Sequence, residues 1–184
     1  MFSSRQRLKK RTTPKDLNRF DYLQALVTEF QDTSDNDAQL QVLANLANFS
    51  YDPINFEYLR KLQVPELFID CIDDDEDLNG RTVQFGISGL CNLVADPKNR
   101  DVVLNIESSI HNIVRCLSSS EIETKLSAIT TLIQLIVPTS RHRIVTPNVI
   151  NCMRRIALAE EPRLKKLAEV FLLDYCQNMQ ISDQ

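Results

Sequence analysis

The sequence predicts an all-α fold: a short right-handed α-solenoid with capping helices at both ends. Three observations support this prediction. Helix-forming apolar residues are abundant, whereas glycine occurs only three times. One motif recurs with a period of about 40–45 residues, which is typical of two- or three-helix repeats. Several prolines directly follow a side chain that can cap a helix.

The recurring motif is an apolar helix that carries amides. Residues 43–49 align with residues 87–93 at an offset of 44, and residues 129–135 follow after a further 42. A weaker fourth copy, which contains Leu172 and Asp174, follows at 40. These helices are apolar on nearly every side, so neighbouring helices must bury them, as in the inner row of a solenoid.

The helices are expected in the following order. Long helices are predicted at about 16–31, 36–51, 79–94, 121–137 and 161–177, and shorter ones near 53–60, 63–72, 97–105, 109–117 and 147–158. The first and the last long helix are the expected caps, with Phe20, Leu23, Leu26, Val27 and Phe30 facing the first repeat and Leu167, Val170, Phe171 and Cys176 facing the last.

Local start signals support these boundaries. Asp52, Asp96 and Thr146 each precede a proline, so their side-chain oxygens can accept a backbone N–H while the proline lacks an N–H that would go unpaired. Ser120 and Glu123 have the spacing of a capping box.

Charge divides the chain into regions of opposite sign. Residues 1–15 are predicted to be a basic, disordered tail with six Lys or Arg and no acid; residues 16–177 form the repeat domain, and residues 178–184 a second tail. Within the domain, residues 20–80 hold 14 acids and two bases, and residues 141–166 hold seven bases and two acids. This separation favours oriented docking to a partner.

Several functions are not expected. The five cysteines are widely spaced and only two histidines occur, so no metal and no cofactor are predicted, and the thiols are interpreted as buried groups in a reducing compartment. Phosphate-loop, nucleophile-elbow and metalloprotease motifs are missing, which argues against an enzyme with a small-molecule substrate. No signal peptide and no apolar stretch of about 18 residues is found, so no membrane association is expected.

A narrow polar strip follows the inner helices and is the predicted binding site for a protein partner. It is expected to line the concave surface of the solenoid, and it consists of Gln41, Asn45, Asn48, Gln84, Ser88, Asn92, Ser127, Thr131 and Gln134. Alternatively, the amides satisfy carbonyl groups inside the stack, because buried polar groups must find partners in either case.

The apolar motif with its asparagine, followed by a proline-opened short helix, resembles the armadillo repeat. The resemblance implies an armadillo-like solenoid in which the inner-helix asparagine bonds the backbone of an extended peptide, and the matching positions are Asn48 and Asn92. In the third copy of the motif, at residues 129–135, the asparagine position is occupied by Gln134. Nuclear-import receptors of this family add a tryptophan one turn earlier, but this chain has none, so it is not expected to act as such a receptor.

Residues 20–177 resemble a small member of this family more closely, through the runs 22–30, 41–49, 51–53, 89–93 and 126–132. This likeness implies a non-catalytic scaffold in the minor spliceosome, which acts in the splicing of minor-class introns together with RNA-binding motif protein 48 and near a small nuclear RNA. It also implies a nuclear location and leaves cytoplasmic presence open.

Two alternatives stay open. The chain could be a generic armadillo adaptor for an extended peptide. It could also bind the RNA backbone directly through its basic tail and a C-terminal basic cluster, although no aromatics for base stacking lie between these charges. The cluster consists of Arg141, Arg143, Arg154, Arg155, Arg163, Lys165 and Lys166.

Overall fold

A computed structural model describes Ser3 and residues 17–73 and 80–176 of the chain. This part contains eleven α-helices and no strand, which confirms the all-α prediction. The helices are α1 (Arg19–Asp32), α2 (Asn36–Phe49), α3 (Phe56–Lys61), α4 (Val64–Cys71), α5 (Arg81–Leu93), α6 (Pro97–Asn105), α7 (Ser109–Arg115), α8 (Ile122–Leu135), α9 (Arg141–Ile144), α10 (Pro147–Ile156) and α11 (Pro162–Cys176). Short 3-10 turns precede α3 at Pro53–Asn55 and follow α7 at Cys116–Ser118.

The helices stack in two rows. The inner row consists of α2, α5, α8 and α11, and each of these helices packs against the next one. The outer row consists of α1, α4, α7 and α10, and each packs against the inner helix that follows it in the chain. The short helices α3, α6 and α9 connect successive units. This arrangement confirms the predicted short armadillo-like α-solenoid.

The inner helices are buried as their composition predicts. Leu43, Ile87, Leu90 and Leu132 are completely shielded from solvent. Each fully buried side chain of this size contributes roughly 1.5–3 kcal/mol of hydrophobic free energy. Contact with neighbouring helices therefore stabilises the stack more than intrinsic helix propensity does.

The three proline-linked helix starts are confirmed. Asp52 accepts a hydrogen bond from the backbone N–H of Ile54 at 3.3 Å, and Asp96 accepts one from Asn99 at 2.9 Å. The Thr146 hydroxyl accepts the corresponding N–H of Val149 at 3.4 Å. The N-cap of α8 is Glu121, one residue after the predicted Ser120, and the Glu121 side chain makes no capping bond. The hydroxyl of Ser119 accepts the Glu121 N–H at 3.1 Å.

Most predicted boundaries agree with the structure within a few residues, and the differences have local causes. Helix α1 begins at Arg19 because the side chain of Asn18 accepts the Asp21 N–H at 3.0 Å. Helix α8 ends at Leu135, where Pro138 disfavours helical geometry for the residue before it. The short helix α9 was not predicted. The expected tails at 1–15, apart from Ser3, and at 178–184 lie outside the described residues.

Both ends of the inner row are covered by amphipathic helices. On α1, Leu23, Leu26 and Val27 are buried, in agreement with the predicted cap. On α11, Leu164, Ala168 and Phe171 are buried, whereas Val170 is 37% exposed. Val170, which was expected among the apolar residues of this cap, is therefore only partly buried. None of the described helices has the length and apolar character needed to cross a bilayer.

A polar connection joins successive repeats. Arg60 at the end of α3 donates hydrogen bonds to Asp96 at 3.0 Å and to Asn99 at 2.7 Å. Asn99 is completely buried, and it occupies the same place after its proline as the buried Asn55, which bonds the Phe49 carbonyl at 2.8 Å. The repeated Asp-Pro-x-Asn sequence therefore begins a helix and also positions a buried amide.

Replacing Gly89 by Ala is expected to destabilise the protein by about 1–3 kcal/mol. A Cβ atom at this position would lie 2.5 Å and 2.9 Å from ring carbons of Phe68 on α4. This overlap outweighs the gain of about 1 kcal/mol that alanine normally brings inside a helix. Urea unfolding measures the difference. Gly80→Ser at the N-cap of the same helix is the control, and it should be neutral or slightly stabilising because serine supplies the missing cap.

Removing residues 161–184 should lower both the melting temperature and the solubility, because the apolar side of α8 that contacts α11 becomes exposed. Removing residues 1–14 eliminates the backbone and side-chain hydrogen bonds of Ser3 to the partly exposed Asp52, and should cost at most about 1 kcal/mol. Thermal denaturation compares the two truncations. Cooperative melting at the original temperature without residues 161–184 would show that α11 is not a cap.

Candidate functional site

Two contacts of the predicted polar strip connect α5 with the inner helices on either side of it. The side-chain amide of Asn92 on α5 donates to the Ala47 carbonyl of α2 at 3.3 Å. The hydroxyl oxygens of Ser88 on α5 and Ser127 on α8 lie 3.3 Å apart. The strip therefore links all three helices and also presents polar groups beside one another.

Access to solvent differs along the strip. Gln41 and Asn48 are exposed, whereas Asn45, Gln84, Ser88, Asn92, Ser127 and Gln134 are half-buried. Thr131 is completely buried, and its hydroxyl donates to the Ser127 carbonyl at 2.7 Å. The prediction that Thr131 lies on the accessible surface was wrong, because this position of α8 turns toward the Cys91 thiol of α5.

The two asparagines that match the family motif have different surroundings. Asn92 already bonds the stack through Ala47, as the structural alternative predicted. Asn48 is exposed, and no other described residue bonds its side chain. Gln41 contacts the Asn45 amide at 3.4 Å along the same helix. The exposed polar groups of the strip are thus concentrated on α2.

An aromatic pair borders this end of the strip. The rings of Tyr22 on α1 and Phe49 on α2 meet edge to face, with centroids 5.6 Å apart, and the Arg19 guanidinium lies 5.1 Å above Phe49. Tyr22 is 42% exposed. The pair was not predicted from the sequence, because tryptophan was the one aromatic residue considered as a neighbour of the asparagines. The sequence did contain an indication of it: Phe49 follows Asn45 by one helical turn and therefore lies on the same face of the helix.

The predicted basic cluster is exposed but distributed over α9, α10 and α11. Arg163 forms ion pairs with Glu161 and Glu123, each at 2.8 Å. Arg141 donates to the Tyr175 carbonyl at 2.6 Å, Arg143 to the Leu104 carbonyl at 2.9 Å, and Arg155 contacts the Cys152 sulfur at 3.4 Å. Arg154, Lys165 and Lys166 complete the cluster. Several of these cations therefore serve tertiary contacts.

The cysteines of the described part are free thiols within the packed helices. Burial raises the pKa of Cys71 and of Cys116 to about 12. Neither thiol is ionised near neutral pH, so both behave as small apolar side chains. In the described ranges, no group of three His, Cys, Asp or Glu side chains is arranged to hold a metal ion.

Helical units stacked in two rows define the chain as an armadillo-type repeat protein. No protein-family model matches the chain. However, the chain is 47% identical over 169 residues to mouse armadillo repeat-containing protein 7, and the match covers 91% of this chain and 83% of the mouse protein. The chain therefore belongs to the family of armadillo repeat-containing protein 7.

Asn92→Ala is expected to lower the free energy of unfolding by about 1 kcal/mol, because the hydrogen bond to Ala47 between α5 and α2 is lost. Asn48→Ala should change it by less than about 0.5 kcal/mol, because this side chain is exposed. Urea unfolding of the two variants measures the difference. Equal effects of both substitutions would contradict the division between a stacking and an exposed asparagine.

Proposed function

We propose that the protein is a non-catalytic scaffold that binds a protein partner along the polar strip. The observation on which this proposal depends is the concentration of exposed amides on α2, where Gln41 and Asn48 lie beside a strip that continues onto α5 and α8. Amide side chains can donate to and accept from the backbone of an extended peptide at the same time. The family to which the chain belongs supports this function.

The resemblance to the small armadillo protein further supports a particular partner and place. We propose that the partner is RNA-binding motif protein 48 and that the two proteins act together in the minor spliceosome, in the nucleus. In this proposal, contact with small nuclear RNA is indirect or peripheral. This RNA contact is not assigned to the basic cluster, because Arg141, Arg143 and Arg163 already form hydrogen bonds within the chain.

The aromatic pair strengthens the choice of the α2 end as the contact region. An exposed tyrosine ring beside amides provides a large, stiff contact area together with hydrogen-bonding groups. Tyr22 and Phe49 are held against each other by their edge-to-face contact before any partner binds. The partner therefore does not have to order these two rings, which reduces the entropic cost of association.

The double variant Gln41→Ala with Asn48→Ala should weaken the binding of recombinant RNA-binding motif protein 48 by about tenfold, because two interfacial hydrogen bonds are lost. Calorimetric titration measures the affinity, and circular dichroism checks that the fold is intact. The matched control is Asn105→Ala with Asn151→Ala, which removes two exposed amides from α6 and α10 and should leave the affinity unchanged.

Two results would contradict the proposal in different ways. Equal affinities of the strip variant and the control would place the interface elsewhere on the solenoid. Failure of the wild-type chain to bind this partner would reject RNA-binding motif protein 48 and leave the scaffold function to be tested with other proteins.

A further inference from the structure

A cleft of about 470 Å³ lies between α1 and α4 in the outer row, away from the polar strip. Its floor is apolar and includes Val27 and Phe30 of α1 and Leu67 of α4, together with Leu62 from the turn before α4. Glu66 and Asp70 line it from α4. The cleft therefore combines an apolar surface with two carboxylates.

The two carboxylates differ in their exposure: Asp70 is exposed to solvent, whereas Glu66 is half-buried. Glu66 and Asp70 are one helical turn apart on α4, where like charges repel each other. Neither forms an ion pair with another described residue, and the Oε2 atom of Glu66 is buried without a hydrogen bond. A buried carboxylate oxygen without a donor is unfavourable, so the site is electrostatically incomplete.

The other repeat junctions show how this chain normally completes such a site. Asp73 after α4 pairs with Arg115 of α7 at 3.5 Å, and Glu123 of α8 pairs with Arg163 of α11. At the first junction, α1 carries a single basic residue, Arg19, whose guanidinium lies over Phe49 instead. The two bases at the end of α3, Arg60 and Lys61, pair with Asp96 and Glu57 and not with the acids of the cleft.

The turn that borders the cleft has an unusual backbone. Gln63 adopts a left-handed conformation with φ of 56°, and among the described residues it is the one non-glycine residue with positive φ. Such a conformation is unfavourable for a residue with a Cβ atom and often occurs at binding sites. Here Gln63 directly follows Leu62, the C-cap of α3, where a left-handed residue commonly ends a helix, and it also lines the cleft.

We propose that this cleft binds an arginine-bearing peptide segment of a protein partner, at a place separate from the polar strip. The guanidinium would pair with Glu66 and Asp70, since a planar group with five donors can serve two carboxylates. The arginine stem and a neighbouring apolar side chain would cover Phe30 and Leu67. The excess of 12 negative charges in residues 20–80 would attract such a segment.

The experiment uses the full chain and a short fluorescein-labelled peptide in which arginines alternate with leucine and serine. Fluorescence anisotropy should show that Glu66→Gln with Asp70→Asn weakens binding by about tenfold or more. The charge-matched control is Asp101→Asn with Glu107→Gln, which removes two exposed carboxylates from another surface and should bind like the wild type. The strip variant with Gln41→Ala and Asn48→Ala should also bind normally, so this test is independent of the proposed function.

A second measurement locates the peptide on the wild-type chain, so the conclusion does not depend on how the variant folds. In the NMR spectrum of the isotope-labelled protein, the peptide should shift the amide signals of Phe30, Glu66 and Asp70 and leave that of Asn48 in place. Equal loss of binding in both charge variants would overturn the proposal, because it would indicate unspecific attraction. Binding only after removal of residues 1–15 would also overturn it, because the chain's own basic tail would then be the occupant.

Discussion

The burial of the inner helices is the constraint on which the rest of the structure depends. Helices α2, α5 and α8 are too apolar to be exposed, and each is enclosed by its inner neighbours and by an outer helix. The middle helix α5 shows this most clearly: Ile87 and Leu90 are fully buried, and Gly89 lets the Phe68 ring approach the backbone of α5. A glycine that normally weakens a helix is therefore required here by packing.

Close packing of the inner row also determines what its polar residues can do. A side chain between two helices must bond across the interface, as Asn92 and Ser88 do, whereas a side chain at the edge is available to a partner. The strip thus contributes to stability in its middle, and its α2 end is the part that we propose for recognition of a partner. The exposed Asn48 side chain and the Tyr22–Phe49 pair lie at that end.

Charged residues complete the junctions between repeats. Arg60 pairs with Asp96 and also donates to the side-chain oxygen of the buried Asn99, so one guanidinium serves both an ion pair and an amide oxygen. Arg163 performs a similar role near the last helix, with Glu123 and Glu161. This use explains why a basic run in the sequence is a weak indication of RNA binding: in a repeat protein, cations are also needed to connect one unit to the next.

The sequence by itself determined the repeat period, the order of the helices and the three proline-linked starts, because caps, prolines and apolar periodicity act within a few residues of the chain. It also predicted a polar strip on the inner helices. Only the tertiary structure decided that Thr131 is buried, that Asn92 bonds α2 and that Arg163 is paired. These outcomes depend on atoms contributed by another repeat roughly 40 residues away, and the local sequence contains no signal for such a neighbour.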